Sequence, residues 1–145
     1  MNKTYNNVID SLKAIGEKHL IIKKVESGDL HEMDLEKNTK YPLMFINPLD
    51  VTAAINTLTY NYQIFICDLV HADRDNEQEV ISDSLQIAID VISMIREEQY
   101  EGLFTTDDFN LEMFTERFDN ALAGWTFTLP ITVENDFNTC DIPTA

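Results

Sequence analysis

The sequence predicts an α+β fold: a two-layer sandwich whose mainly antiparallel sheet carries an N-terminal helix and a long central helix on one face. Three observations predict it. Trp125, Phe127, Leu129, Ile131 and Val133 alternate with Thr126, Thr128, Pro130, Thr132 and Glu134, as in a strand with one packed and one wet face. Leu58, Tyr60, Tyr62, Ile64 and Ile66 alternate in the same way, ahead of Ile81, Leu85, Ala88, Ile92 and Ile95 at helical spacing. A strand feeding a helix with one apolar stripe must bury that stripe against a second layer.

Taken in order, Tyr5, Val8, Leu12, Ile15 and His19 predict a helix over 4–19, with Asn6, Asp10, Lys13 and Glu17 on its outer face. Leu20 to Glu26 reads as a first strand, closed by a turn at Ser27-Gly28-Asp29. Residues 30–40 read as a polar loop that touches the core at Met33 and Leu35. Tyr41 to Asn47 is a second strand, and Pro42, which has no N–H, sits at its start or on an edge. Asn47-Pro48-Leu49-Asp50 carries a turn signal. The long strand over 58–69 follows, or begins as early as Thr52 with a bend or bulge before Leu58. Its second face holds Thr59, Asn61 and Gln63, then Phe65, Cys67 and Leu69, so that face is wet at one end and covered at the other.

Residues 71–74 lead to a helix over 76–97. Asp75 is its expected N-cap, Gln78 closes a capping box, and Glu77 and Glu79 favour the positive end of the dipole. Gly102 suits a C-terminal cap, after which Leu103 and Phe104 fold back onto the core. Phe109 to Phe114 reads as a strand with Phe109, Leu111 and Met113 on one face. Residues 115–123 connect it to the last strand, with Phe118 and Leu122 inward. That last strand opens on Trp125, a core residue, and has an edge or a bulge at Pro130. Residues 1–134 form one domain and 135–145 a polar tail.

The formal net charge is −16, and it is unevenly placed. Residues 1–67 carry seven lysines and eight acids, whereas 68–145 carry three arginines and eighteen acids. Such a surface repels phosphate and argues against nucleic-acid groove binding. It suits a basic protein partner, a wall that DNA passes without sticking, or simply solubility. The N-terminus lacks the apolar core of a signal peptide, and no apolar run approaches a membrane span. Cys67 and Cys140 give neither a metal spacing nor a disulfide framework. His19, His31 and His71 stand in no ligand pattern, and His19 reads as packing or C-capping at a helix end. Asp73 and Asp75 lack the rest of a calcium loop. Glu97-Glu98 and Asp107-Asp108 are adjacent pairs that do not share a face. Ser82 and Ser84 have no nucleophile elbow, and no Gly-rich phosphate loop occurs. The expectation is a protein without catalysis, cofactor or metal.

Three stretches carry a resemblance: 75–80 (Asp-Asn-Glu-Gln-Glu-Val), 116–125 (Glu-Arg-Phe-Asp-Asn-Ala-Leu-Ala-Gly-Trp), and Asn135-Asp136 with Cys140. With Gly28-Asp29-Leu30 and Tyr41-Pro42-Leu43 upstream, the chain resembles the small neck and tail proteins of tailed bacteriophages, the crAss-like group above all. The resemblance covers most of the chain from Gly28 to Cys140. It implies a tail-terminator-like α/β sandwich that assembles as a ring between portal and tail, through which DNA passes without specific binding. It also implies a virion protein made in the bacterial host cytoplasm, whose partners are itself and other neck, tail and portal proteins. No catalytic residue carries over. Ring subunits meet head-to-tail through two different surfaces. The uneven charge then nominates Lys23 and Lys24 on one side and Asp107 and Asp108 on the other as the subunit interface. Segments 27–40, 98–108 and 135–145 are the expected contacts with rings above and below. The alternative from another class is an acidic DNA mimic that inhibits a host DNA-binding enzyme.

Overall fold

Alternation in two long strands organises the chain. The computed structural model describes residues 5–28, 41–70, 75–97, 103–105, 108–115, 122–134 and 143. Its elements are α1 (Tyr5–Lys18), β1 (Lys24–Ser27), β2 (Leu43–Ala54), β3 (Thr57–Leu69), α2 (Glu77–Glu97), β4 (Leu103–Thr105), β5 (Glu112–Thr115) and β6 (Leu122–Glu134). The sheet order is β1-β2-β3-β6-β4, with β5 also on β6. Only β1 and β2 run parallel. β3 and β6 pair along their whole lengths. The far edge of β6 is shared, with β5 on residues 123–126 and β4 on residues 131–133.

Both helices lie on one face, so the predicted α+β sandwich is the observed one. Val8, Ile9, Leu12 and Ile15 of α1 and Ile87, Ala88, Val91, Ile92 and Ile95 of α2 pack against Met44, Ile46, the Tyr60–Ile66 row and the Phe127–Val133 row. Each fully buried aliphatic or aromatic side chain here contributes about 1.5–3 kcal/mol. The opposite face divides as the sequence predicts except at Leu69, which is 45% exposed at the end of β3. Thr59, Asn61 and Gln63 are half-buried, while Phe65 and Cys67 are buried with Leu43, Phe45, Phe114 and Leu122 in a second, smaller core. Phe114 meets Phe65 edge-on, with ring centroids 5.5 Å apart.

Several expectations are corrected. Asn47-Pro48-Leu49-Asp50 is a bulge rather than a turn: the register steps from Pro48/Tyr62 to Asp50/Asn61 and leaves Leu49 unmatched. Pro48 is tolerated because a bulge requires fewer ladder bonds and β1 ends opposite Ile46, so among the described residues no strand stands outside it. β2 therefore runs on to Ala54, and the chain reverses at Ile55-Asn56, where Asn56 has φ 66°. Asn accepts that left-handed conformation more readily than most residues. The Tyr41-Pro42 peptide is cis.

The first strand is shorter than its apolar run, because β1 finds its partner in β2 only from Lys24 onward. Leu20 and Ile21 consequently stay outside, 91% and 54% exposed. On α2 the buried stripe is Val80, Ser84, Ile87, Ala88, Val91, Ile92 and Ile95, with Ile81 and Leu85 half-buried. Ala88, Ile92 and Ile95 are buried as predicted, and the stripe is widened by Val80, Ser84, Ile87 and Val91; the Trp125 indole N–H donates to the Ile81 carbonyl at 2.9 Å. The Val80 N–H bonds to the Asn76 carbonyl, so Asn76 rather than Asp75 occupies the N-cap position.

β5 begins only at Glu112. Of the three residues expected on one strand face, Phe109 and Leu111 pack against the helix-side core ahead of the strand, whereas Met113 is 52% exposed at the sheet margin. Leu103 to Thr105, expected only to fold back, forms the short strand β4. β6 starts at Leu122, three residues before Trp125, and Leu122 is buried as predicted. Pro130 pairs with Asn61 without a register shift and falls between the stretches held by β5 and β4, so it marks a local edge and no bulge. The expectations for 30–40, 71–74, Gly102, Asp107, Phe118 and 135–142 lie outside the described residues. Among the described residues, no helix is long and apolar enough to cross a membrane.

Candidate subunit interface

The strand registers place the charged candidates on a common frame. Lys24, Leu43, Cys67, Gly124 and Phe114 form one row across the sheet. Glu26, Phe45, Phe65, Thr126 and Glu112 form the next row on the same face. Residues paired across strands share a face, so Lys24 and Glu112 both stand on the face away from the helices. They are at opposite edges. Four strand spacings put about 19 Å between them, too far for an ion pair within one chain.

The first edge is basic and apolar. Leu20 and Ile21 project beside Lys23 and Lys24, both exposed. Lys23 Nζ donates to the Leu20 carbonyl at 3.4 Å, and its backbone N–H donates to the Pro42 carbonyl at 2.9 Å. Lys24 makes no side-chain hydrogen bond or ion pair among the described residues. Residues 5–28 hold Lys13, Lys18, Lys23 and Lys24 against Asp10, Glu17 and Glu26, the one described segment where cations outnumber acids.

The second edge is acidic. Asp108 and Glu112 are exposed there, and α2, on the helix-bearing face, carries Glu77, Glu79, Asp83, Asp90 and Glu97 against Arg96 alone. The lead into β5 is anchored by Phe109, whose ring meets Phe127 edge-on at 5.6 Å and lies under the Arg96 guanidinium at 5.4 Å. Beside it, a half-open cavity of about 140 Å³ is lined by Gln63, Asn110, Glu112, Thr126, Phe127 and Thr128. Thr126 is only 5% exposed, and its Oγ1 has no hydrogen-bond partner among the described residues. A buried hydroxyl left without a partner costs about 1–3 kcal/mol.

Of the four interface candidates, the structure brings Lys23 and Lys24 together on one edge and puts Asp108 on the other. Asp107 lies outside the described residues. Sequence reasoning missed Glu112, Thr126 and Gln63. The wet positions of the two long strands contain Thr126 and Gln63, but their meeting depends on a register between segments about sixty residues apart.

The remaining ionisable groups have structural explanations. His19 lies where α1 ends. Its Nδ1 accepts from the Ile21 N–H at 3.2 Å, which puts the proton of the neutral ring on Nε2, and Nε2 meets Asp90 Oδ2 at 2.9 Å. This hydrogen bond, helped by Gln86, holds the Asp90 carboxyl below its ordinary pKa. Burial pushes Asp68 upward, and nearby Asp83 adds to the rise while the Leu69 N–H opposes it. Burial also raises the Cys67 thiol far above its usual range, so it acts as a small core residue and not as a nucleophile. Among the described residues, no three His, Cys, Asp or Glu side chains are grouped to hold a metal ion. No protein-family model matches the chain, and no curated protein matches it.

Proposed function

We propose that the chain is a structural subunit of a homo-oligomeric ring. On the resemblance carried by 75–80, 116–125 and 135–140, that ring belongs to the neck or tail of a tailed bacteriophage. It joins portal to tail as a terminator or connector, works without catalysis, and is carried in the virion. The observation that supports this reading is the unlikeness of the two sheet edges. Leu20, Ile21, Lys23 and Lys24 stand on one, and Asp108 and Glu112 on the other. Unlike edges on opposite sides of a subunit favour head-to-tail contact, and head-to-tail contacts close into rings when the rotation permits. Two chains of charge −16 repel at long range, so contact between copies requires this local pairing of opposite signs.

The test is sedimentation velocity of the purified protein with electron microscopy of the assembled fraction. A closed ring that loosens as salt rises is the expected result, because exposed charge pairs are screened. A chain that stays monomeric at every concentration and salt would overturn the reading. If that monomer bound one basic DNA-processing protein in competition with DNA, the DNA-mimic alternative would replace it.

A further inference from the structure

The cavity beside β5 has a chemistry that the ring reading does not by itself require. Its polar lining comprises the Glu112 carboxylate, the Gln63 and Asn110 amides, and the Thr126 and Thr128 hydroxyls. Each can accept a hydrogen bond and the carboxylate does nothing else, while an ammonium group has three donors and no acceptor. At about 140 Å³ the space far exceeds the ~30 Å³ share of one water. The Thr126 Oγ1, buried and unpartnered among the described residues, lacks a bond that an arriving donor can supply after a χ1 rotation. Glu112 makes no side-chain hydrogen bond or ion pair among the described residues either.

We propose that this cavity is a socket for the Lys24 ammonium of the neighbouring copy of this chain; the proposal rests on the ring reading. Lys24 is the cation that fits. It is exposed, its side chain makes no hydrogen bond or ion pair among the described residues, and the registers put it on the same sheet face as the cavity, at the other edge. Lys23 precedes β1 and turns its ammonium to the Leu20 carbonyl. The 19 Å across the sheet forbids the contact within a chain and leaves it available between chains. A neighbour aligned row for row would set Glu26 against Glu112. A displacement of one row, about 7 Å along the strands, sets Lys24 there instead. The inference thus fixes the stagger between subunits as well as the pair.

A charge exchange tests it, with sedimentation velocity of wild type, Lys24→Glu, Glu112→Lys and the double variant at low salt. Each single change sets like charges face to face and raises the midpoint concentration of assembly by about tenfold. The double variant restores opposite charges and returns to within about twofold of wild type. Thr126→Val keeps the shape, removes the orphan hydroxyl, and weakens assembly without lowering the thermal midpoint of the subunit. Both charged residues are exposed, so circular dichroism should show the charge variants folded. Singles that assemble like wild type, or a double variant as impaired as the two singles combined, would overturn the socket and leave the ring standing. A wild type that never assembles would overturn the ring reading itself.

Discussion

Gly124 of β6 lies directly against the backbone of β3, and replacing it with alanine is the sharpest probe of the fold. A Cβ built there falls well inside van der Waals contact of the Ile66 carbonyl oxygen. It also lies 2.8 Å from Cys67 Cα and 2.9 Å from the Ile66 carbonyl carbon. Overpacking costs about 1–3 kcal/mol where side chains can shift aside. Here the struck atoms are backbone, and relief means parting the two central strands beside the Leu43, Cys67 and Phe114 row. The expected loss is therefore about 3 kcal/mol or more, a large part of the ~5–15 kcal/mol that holds a typical domain. At this chain length that is a fall in Tm of about 6–12 °C. Gly16→Ala is the control. Its Cβ would meet the Met44 sulfur at 2.6 Å and a Val25 methyl at 2.9 Å. Those are side-chain tips, methionine is flexible, and alanine gains about 1 kcal/mol of helix propensity over glycine. The net change should stay within about 1 kcal/mol. Urea unfolding followed by circular dichroism and by the fluorescence of Trp125, the lone tryptophan, measures both. A Gly124→Ala protein within about 1 kcal/mol of wild type, or one more stable than Gly16→Ala, would refute the reasoning.

Two further outcomes follow from the polar groups. Tyr62 is buried, and its hydroxyl has no partner among the described residues, so Tyr62→Phe should be neutral or stabilising by up to about 1 kcal/mol in the same urea assay; a clear loss would reveal a bond to that hydroxyl. Asp90 has a lowered pKa in the folded chain, so its contribution is present above the unfolded carboxylate value, near 3.8, and is lost as pH falls through the lower folded value. Because the Asp90 side chain is 42% exposed, Asp90→Asn should cost under about 1 kcal/mol at neutral pH, and the gap from wild type should narrow in thermal melts under strong acid; a gap that widened there would contradict the assigned cause.

The sequence by itself determined the fold class and the helix-facing side of the long strands, whereas Thr126 on the side read as wet is buried and Leu69 on the end read as covered is exposed. Period-2 alternation at 58–66 and 125–133 and helical stripes at 5–15 and 81–95 are local signals, and each element must hide its apolar side. Even the split face of β3 was legible, since Thr59, Asn61 and Gln63 give way to Phe65 and Cys67 within one strand. Where the reading went astray, a distant partner decided the outcome. Pro48 signals a turn locally, but the ladder with β3 absorbs it as a bulge and carries β2 on to Ala54. Leu20 and Ile21 look like strand, but β2 offers them no register. Lys23 and Lys24 could be singled out by charge alone. Their placement on one edge, and the gathering of Glu112, Thr126 and Gln63 at the other, was decided only by tertiary structure, because strand pairing unites residues that no local pattern relates.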